Sequence, residues 1–172
     1  GDLVVLRDSD NNAVYEMLES LRIPIINAGN GTDEHPTQAM ADIYALMKWR
    51  PSLFIAPPPD APGVRIGIIG VPDVMRTVRS LLVSLGLFSE AITEVVIIGE
   101  NSRPFSDGQL EALESAGLKL RISDDLCKEL PGLDVVYINT IAWVGDDYEE
   151  LGSQYGLNPS SPLKEDAIIL HP

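Results

Sequence analysis

The chain has 172 residues, 45% hydrophobic and 22% charged, with 12 basic and 26 acidic side chains for a formal charge of −14. That hydrophobic share excludes a disordered chain, no apolar run approaches the roughly 20 residues of a membrane span, and the acidity argues against nucleic acid or anionic membranes as partners. One cysteine, Cys127, excludes an internal disulfide and fits a reducing cytoplasm, the acidic start Gly1-Asp2 shows no signal-peptide pattern, and two histidines, His35 and His171, exclude a histidine-rich metal site.

Short β-branched runs alternate with helical spacing from one end to the other. Leu3 to Leu6 reads as a buried strand, Ala13 to Leu21 as a helix, Ile23 to Ile26 as a strand and Pro36 to Trp49 as a helix. Proline then becomes dense from Pro51 to Gly63, which predicts a linker. Beyond it the pattern predicts strand Arg65–Ile69, helix Val74–Leu85, strand Glu94–Ile98 and helix Gly108–Ala116. Strand Leu118–Ile122, helix Ser123–Leu130, strand Asp134–Asn139 and strand Ala167–Leu170 follow. Strands that are apolar throughout and alternate with helices mean parallel sheets covered on both faces. The fold class expected is therefore α/β, with two doubly wound parallel-sheet domains joined by the 51–63 linker. Residues 64–172 offer about five strands, but residues 1–50 offer only two, too few to bury their edges, so the first domain is expected to be incomplete in this chain.

The segment richest in chemistry is Asn27-Ala-Gly-Asn-Gly-Thr-Asp-Glu-His-Pro-Thr-Gln38, between a strand and a helix. Gly29 and Gly31 permit positive φ and close approach of backbone to a ligand. Pro36 suits the first helical position, and the N–H groups of that turn form a site for phosphate or another oxyanion. His35 and Gln38, three residues apart, can lean over the same helix terminus and suit a small planar group carrying C=O and NH₂ beside a phosphate. Read as structure alone, the same residues are a capped helix with a histidine at its mouth.

That string resembles the carbamoyl phosphate signature of aspartate carbamoyltransferases, within the aspartate/ornithine carbamoyltransferase family. Colinear landmarks accompany it: Val4-Val5-Leu6-Arg7, Ile66 to Leu81 with Arg76-Thr77-Val78, Asp134-Val-Val-Tyr137, and Ile169-Leu-His171-Pro172. The resemblance implies a C-terminal part of a carbamoyl phosphate-binding domain in residues 1–50 and an amino-acid-binding domain in 64–172, its last elements missing. It implies carbamoyl transfer from carbamoyl phosphate to an amino acid, without metal or organic cofactor, by a cytoplasmic homotrimer whose active sites are shared between subunits. His35 would bond the carbonyl oxygen and stabilise its developing charge, Gln38 would hold the carbamoyl NH₂, Arg7 would clamp the phosphate, and Arg76 would take a carboxylate of the acceptor. The departures fall on the acceptor side. Thr140 stands where the family carries an arginine and Ala142 where it carries a glutamine, and Asp73 replaces part of a run that normally holds a lysine. The resemblance also covers only the middle of a longer protein, so the 172 residues alone are expected to be inactive.

Two other readings compete. A dinucleotide-binding oxidoreductase needs Gly-x-Gly-x-x-Gly between strand and helix, which Gly67-Ile-Ile-Gly70-Val-Pro-Asp73 does not supply. A non-catalytic relative serving as a binding or regulatory module would fit the altered acceptor positions. The acid run Asp146 to Glu150 reads as a solvated loop, and Cys127 as packing.

Overall fold

The computed structural model describes residues 1–55, 61–139 and 154–172. The first half opens with two parallel strands, β1 (Val4–Asp8) and β2 (Ile25–Asn30), in register Val4 to Ile25 and linked through α1 (Ala13–Ser20). β2 begins and ends later than its apolar residues predict. Its polar stretch continues the ladder as far as the pair Asp8–Asn30, because Asn27 donates to Asn30 Oδ1 and the remaining amide groups find partners in the adjoining loops. Helix α2 (Pro36–Trp49) has the predicted bounds, with Pro36 in the first turn and Ala39, Ile43 and Leu46 buried. The two-stranded sheet itself has little cover: Val5 is 63% exposed and Leu18 on α1 is 53% exposed.

The expected linker differs at its start. Pro51–Ile55 forms a short helix, α3, instead of an extended connection. Proline at a first helical position forfeits no hydrogen bond, and the helix buries Phe54 edge-on to Phe88 with ring centroids 5.7 Å apart.

The second half is a five-stranded, all-parallel sheet in the order β5-β4-β3-β6-β7. Its strands are β3 (Val64–Ile69), β4 (Ile92–Ile98), β5 (Leu120–Ser123), β6 (Val135–Ile138) and β7 (Ile168–Leu170). Its helices are α4 (Arg76–Gly86), α5 (Gln109–Ser115) and α6 (Leu126–Glu129). Side chains alternate between two cores. Ile66, Ile68, Val95, Ile97, Val135 and Tyr137 face one, with α4 and Leu113, while Ile69, Val96, Ile98 and Val136 face the other, with Leu126, Leu130 and Tyr155. Gly67 lets Leu133 close on the second face, since a Cβ there would lie 2.3 Å from Leu133 Cδ1. Helix α4 starts two residues later than predicted, because Val71 to Met75 form a turn closed by Met75 N–H to Val71 O. Helix α6 is shorter than predicted. Asp125 caps it by accepting from Lys128 N–H at 3.0 Å, and Pro131 turns its end into a 3₁₀ segment.

Two features of this architecture place the site. Strand order reverses between β3 and β6, and the carboxyl ends of the strands at such a switch point are where open α/β sheets receive ligands. Helix α2 also packs along α4, and Ile43, Leu46 and Phe54 join the same core as Leu81, Leu82 and Leu85. The carboxyl end of β2 is thereby brought against the amino end of α4.

Candidate active site

The β2–α2 connection is held in shape by its own amides. Asn27 Oδ1 accepts from Gly29 N–H at 2.8 Å, and the fully buried Asn30 donates to Asn11 O and Asp33 Oδ2. Gly29 takes φ of +119°, and the position of a missing Cβ lies 3.5 Å from Arg76 Nη1 and 3.6 Å from His35 Cδ2. Glycine is required on both counts, since a side chain disfavours this φ and would crowd the imidazole and the guanidinium.

His35 is the N-cap of α2. Its Nδ1 accepts from Gln38 N–H at 3.3 Å and meets Thr37 Oγ1 at 3.4 Å, while its backbone N–H donates to Ser80 Oγ on α4 at 2.9 Å. An imidazole nitrogen that accepts from a backbone amide carries no proton, so the neutral ring bears its hydrogen on Nε2. Burial, then the nearby Arg76 and Arg7 guanidiniums, push the His35 pKa below its usual value, which favours that neutral form. The site therefore presents a neutral N–H donor beside two cations.

Arg7, at the end of β1, and Arg76, at the start of α4, line one open cleft of about 490 Å³ with Asp8, Ser9, Gly31 and Thr32. Arg76 Nη1 donates to Gly31 O at 2.5 Å, which ties α4 to the loop. Arg79, one turn on, donates to Asp33 O at 3.4 Å and to Asp73 O, and pairs with Asp33 Oδ1 at 3.5 Å. Asp73 is exposed, and its backbone closes this turn of chain against Arg79 and Pro104.

Gln38 behaves differently from the expectation that it leans over the helix terminus beside His35. Its Nε2 donates along the helix to Asp42 Oδ1 at 3.0 Å, and Asp42 Oδ2 accepts from Tyr137 O–H on β6 at 3.1 Å. Asp42 is only 5% exposed and Tyr137 is fully buried. Burial raises the pKa of both, opposed at Asp42 by the two hydrogen bonds to its carboxylate. Arg7 and Arg76 thus line one cleft, His35 stands beside Arg76 across Gly29, and Gln38 turns along α2 to Asp42. Thr140 and Ala142, like the acid run 146–150, lie outside the described residues. Asp42, Ser80 and Arg79 were not picked out by sequence reasoning. A signal for Asp42 existed, an acid four residues after a glutamine on an otherwise apolar helix face, where amide–carboxylate pairs form.

The fold is α/β with parallel sheets, and it sets a cleft lined by two arginines next to the N-terminus of α2 and its capping imidazole, an arrangement suited to a small oxyanion. Comparison with known proteins narrows that class. Residues 1–48 match the family described as "Aspartate/ornithine carbamoyltransferase, carbamoyl-P binding domain". The chain is 31% identical over 178 residues to an aspartate carbamoyltransferase catalytic subunit of Methanopyrus kandleri, covering 99% of this chain and 54% of that one. A counterpart from Cellvibrio japonicus is 36% identical over 140 residues, covering 81% of this chain and 40% of its own. Aspartate transcarbamoylase from Trypanosoma cruzi, solved with carbamoyl aspartate and phosphate, superposes with a TM-score of 0.81 at 25% identity over 99% of this chain and 54% of that one. In sequence and in fold the chain is thus similar, over nearly its whole length, to members of the aspartate/ornithine carbamoyltransferase family. It spans about half the length of these curated relatives.

Proposed function

We propose that the full-length protein transfers the carbamoyl group of carbamoyl phosphate to the amino group of an amino acid, as an aspartate carbamoyltransferase of pyrimidine biosynthesis or a close paralogue with a changed acceptor. The observation that carries this reading is His35, whose Nδ1 is consumed as a helix cap so that Nε2–H remains as a neutral donor beside Arg7 and Arg76. The acceptor amine attacks the carbamoyl carbon. The C–N bond forms, the carbonyl electrons move to oxygen, and the C–O bond to phosphate then breaks as the amine proton is lost. Nε2–H stabilises the oxyanion through that step, in a site already organised to receive it. Arg7 holds the phosphate as a guanidinium fork suits, and Gln38 Oε1 accepts from the carbamoyl NH₂. Arg76 takes an acceptor carboxylate, exchanging its contact to Gly31 O for the substrate.

The domain plan follows from the same reading: residues 1–50 complete a carbamoyl phosphate domain, and 64–172 belong to the amino-acid domain. We place the protein in the cytoplasm, as a homotrimer with shared sites; no described helix is long and apolar enough to cross a membrane. Residues 140–153 contain no lysine, arginine or histidine and carry four acids. That composition supports an acceptor other than a dicarboxylate, or a non-catalytic relative that keeps the fold and serves as a binding or regulatory module. Titrating carbamoyl phosphate and a bisubstrate phosphonate analogue bearing aspartate against the full-length protein decides among these readings. Binding of both supports aspartate as acceptor, and binding of the first alone a changed acceptor. Binding of neither refutes carbamoyl transfer and supports the non-catalytic relative.

A further inference from the structure

A buried carboxylate with no cation beside it is expensive, and such a group needs a reason to be there. Asp42 sits on the core-facing side of α2 with Ala39, Ile43 and Leu46, and among the described residues its side chain has two partners, the Gln38 amide and the Tyr137 hydroxyl. Both donate to it. An ionised carboxylate can only accept, so the Gln38 NH₂ must face Asp42 and its Oε1 must face away from it. An asparagine of the same shape would lose this selectivity, because it could donate to Oε1 and turn the NH₂ outward. Tyr137 completes the constraint from the other half of the chain. It is fixed in the ladder between Ile68 and Leu170, and its hydroxyl holds the second carboxylate oxygen across 95 residues of sequence.

We infer that Asp42 is a positioning residue that fixes the amide polarity of Gln38, with Tyr137 as its anchor in the second sheet, so that the site accepts from an NH₂ group and discriminates against a methyl group in its place. This rests on the proposed carbamoyl phosphate reading and adds the means by which the carbamoyl end is told from an isosteric acyl end. The Gln38 amide, held through Asp42 by β6, is also a point at which the second sheet bears on the ligand held by the first.

The test compares carbamoyl phosphate, acetyl phosphate and inorganic phosphate, which carry NH₂, CH₃ and neither, in equilibrium binding to the full-length protein and its variants. Asp42→Asn is expected to reduce the preference for carbamoyl over acetyl phosphate about tenfold, the loss of one well-made hydrogen bond and its replacement by opposed donors. Tyr137→Phe should reduce it about threefold, inorganic phosphate should bind unchanged in both, and Asp42→Asn should add nothing in a Gln38→Ala background. Equal weakening of all three ligands, or an unaltered preference, would overturn the inference and assign Asp42 a structural role only. A second readout needs no turnover. In the ligand-free protein the Gln38 side-chain amide protons should exchange slowly with solvent, and at least tenfold faster in Asp42→Asn; equal exchange rates would overturn the assignment as well. If the wild-type protein binds phosphate but not carbamoyl phosphate, the proposed function fails, while the exchange measurement still judges the grip of Asp42 on Gln38.

Discussion

His35 performs two tasks with its two ring nitrogens, and they can be separated by substitution. Nδ1 caps α2 by accepting from Gln38 N–H, while Nε2–H is left for the ligand. Serine at position 35 can still accept from that amide but is too short to reach a bound carbonyl, whereas alanine can do neither. His35→Ser and His35→Ala both lose the imidazole packing, so their difference isolates the cap, worth about 1 kcal/mol. The missing oxyanion donor should cost each about 2.7–4 kcal/mol of transition-state stabilisation, a hundredfold to thousandfold fall in kcat. Urea unfolding and steady-state carbamoyl transfer in the full-length protein read the two effects independently. The expected pattern is equal loss of turnover with unequal loss of stability, alanine being the weaker fold. Near-normal kcat in His35→Ser would refute the donor role, and equal stabilities of the two variants would refute the cap.

The neutral state of the same ring makes a further prediction. With its pKa lowered by burial and by Arg76 and Arg7, His35 should titrate below 6.5 and show the Nε2–H tautomer in ¹⁵N spectra at pH 7; the unfolded chain takes the proton first, so this group's contribution to stability is present above 6.5 and is lost as pH falls below it. Glu129, gripped by both Arg121 guanidinium nitrogens at 2.8 and 2.7 Å, has its pKa held down to about 2. Its contribution is therefore present above about 4.5 and is lost as pH falls toward 2; the wild type should lose up to about 3 kcal/mol over that window relative to Glu129→Gln, measured by urea unfolding at each pH. Gly67→Ala should destabilise by about 1–3 kcal/mol, because the new Cβ would meet Leu133 Cδ1 at 2.3 Å and Ile98 Cδ1 at 3.1 Å, and Leu133→Ala should recover part of the loss. Phe54→Ala should cost about 3–5 kcal/mol if α3 belongs to the core, against less than about 0.5 kcal/mol for an exposed linker residue.

What could be read from the sequence was whatever is encoded within a few residues. Helix α2 could be bounded because Pro36 marks its start and the apolar face repeats through Leu46 to Trp49. The parallel sheet was legible in β3 and β4, whose residues are apolar on both faces. The end of β2 was obscured because asparagine and glycine look like loop, yet Asn27 donates to Asn30 Oδ1 within the strand and Asn30 donates to Asn11 O. The start of the 51–63 segment was obscured for the opposite reason: proline was read as a breaker where it opens a helix. Within the site, the loop and His35 announced themselves by local spacing. The Asp42–Tyr137 bond could not, because it depends on which strand the fold places over α2. Arg79 likewise reads as a surface cation until α4 is seen to press it against Asp33.

The hydrogen bond from His35 N–H to Ser80 Oγ has a consequence for how the protein is made. Synthesis proceeds from the first residue, so the loop bearing His35 leaves the ribosome ahead of the helix that holds it. At roughly 5–20 residues per second the 45 residues between them represent on the order of 2–9 s. Throughout that interval Arg76, Arg79 and Ser80 are absent, and the face of α2 that carries Ile43 and Leu46 lacks the α4 side chains it packs against. The vulnerable period of this chain is therefore the wait for α4, and slower decoding between positions 35 and 80 would lengthen the time that chaperones must cover.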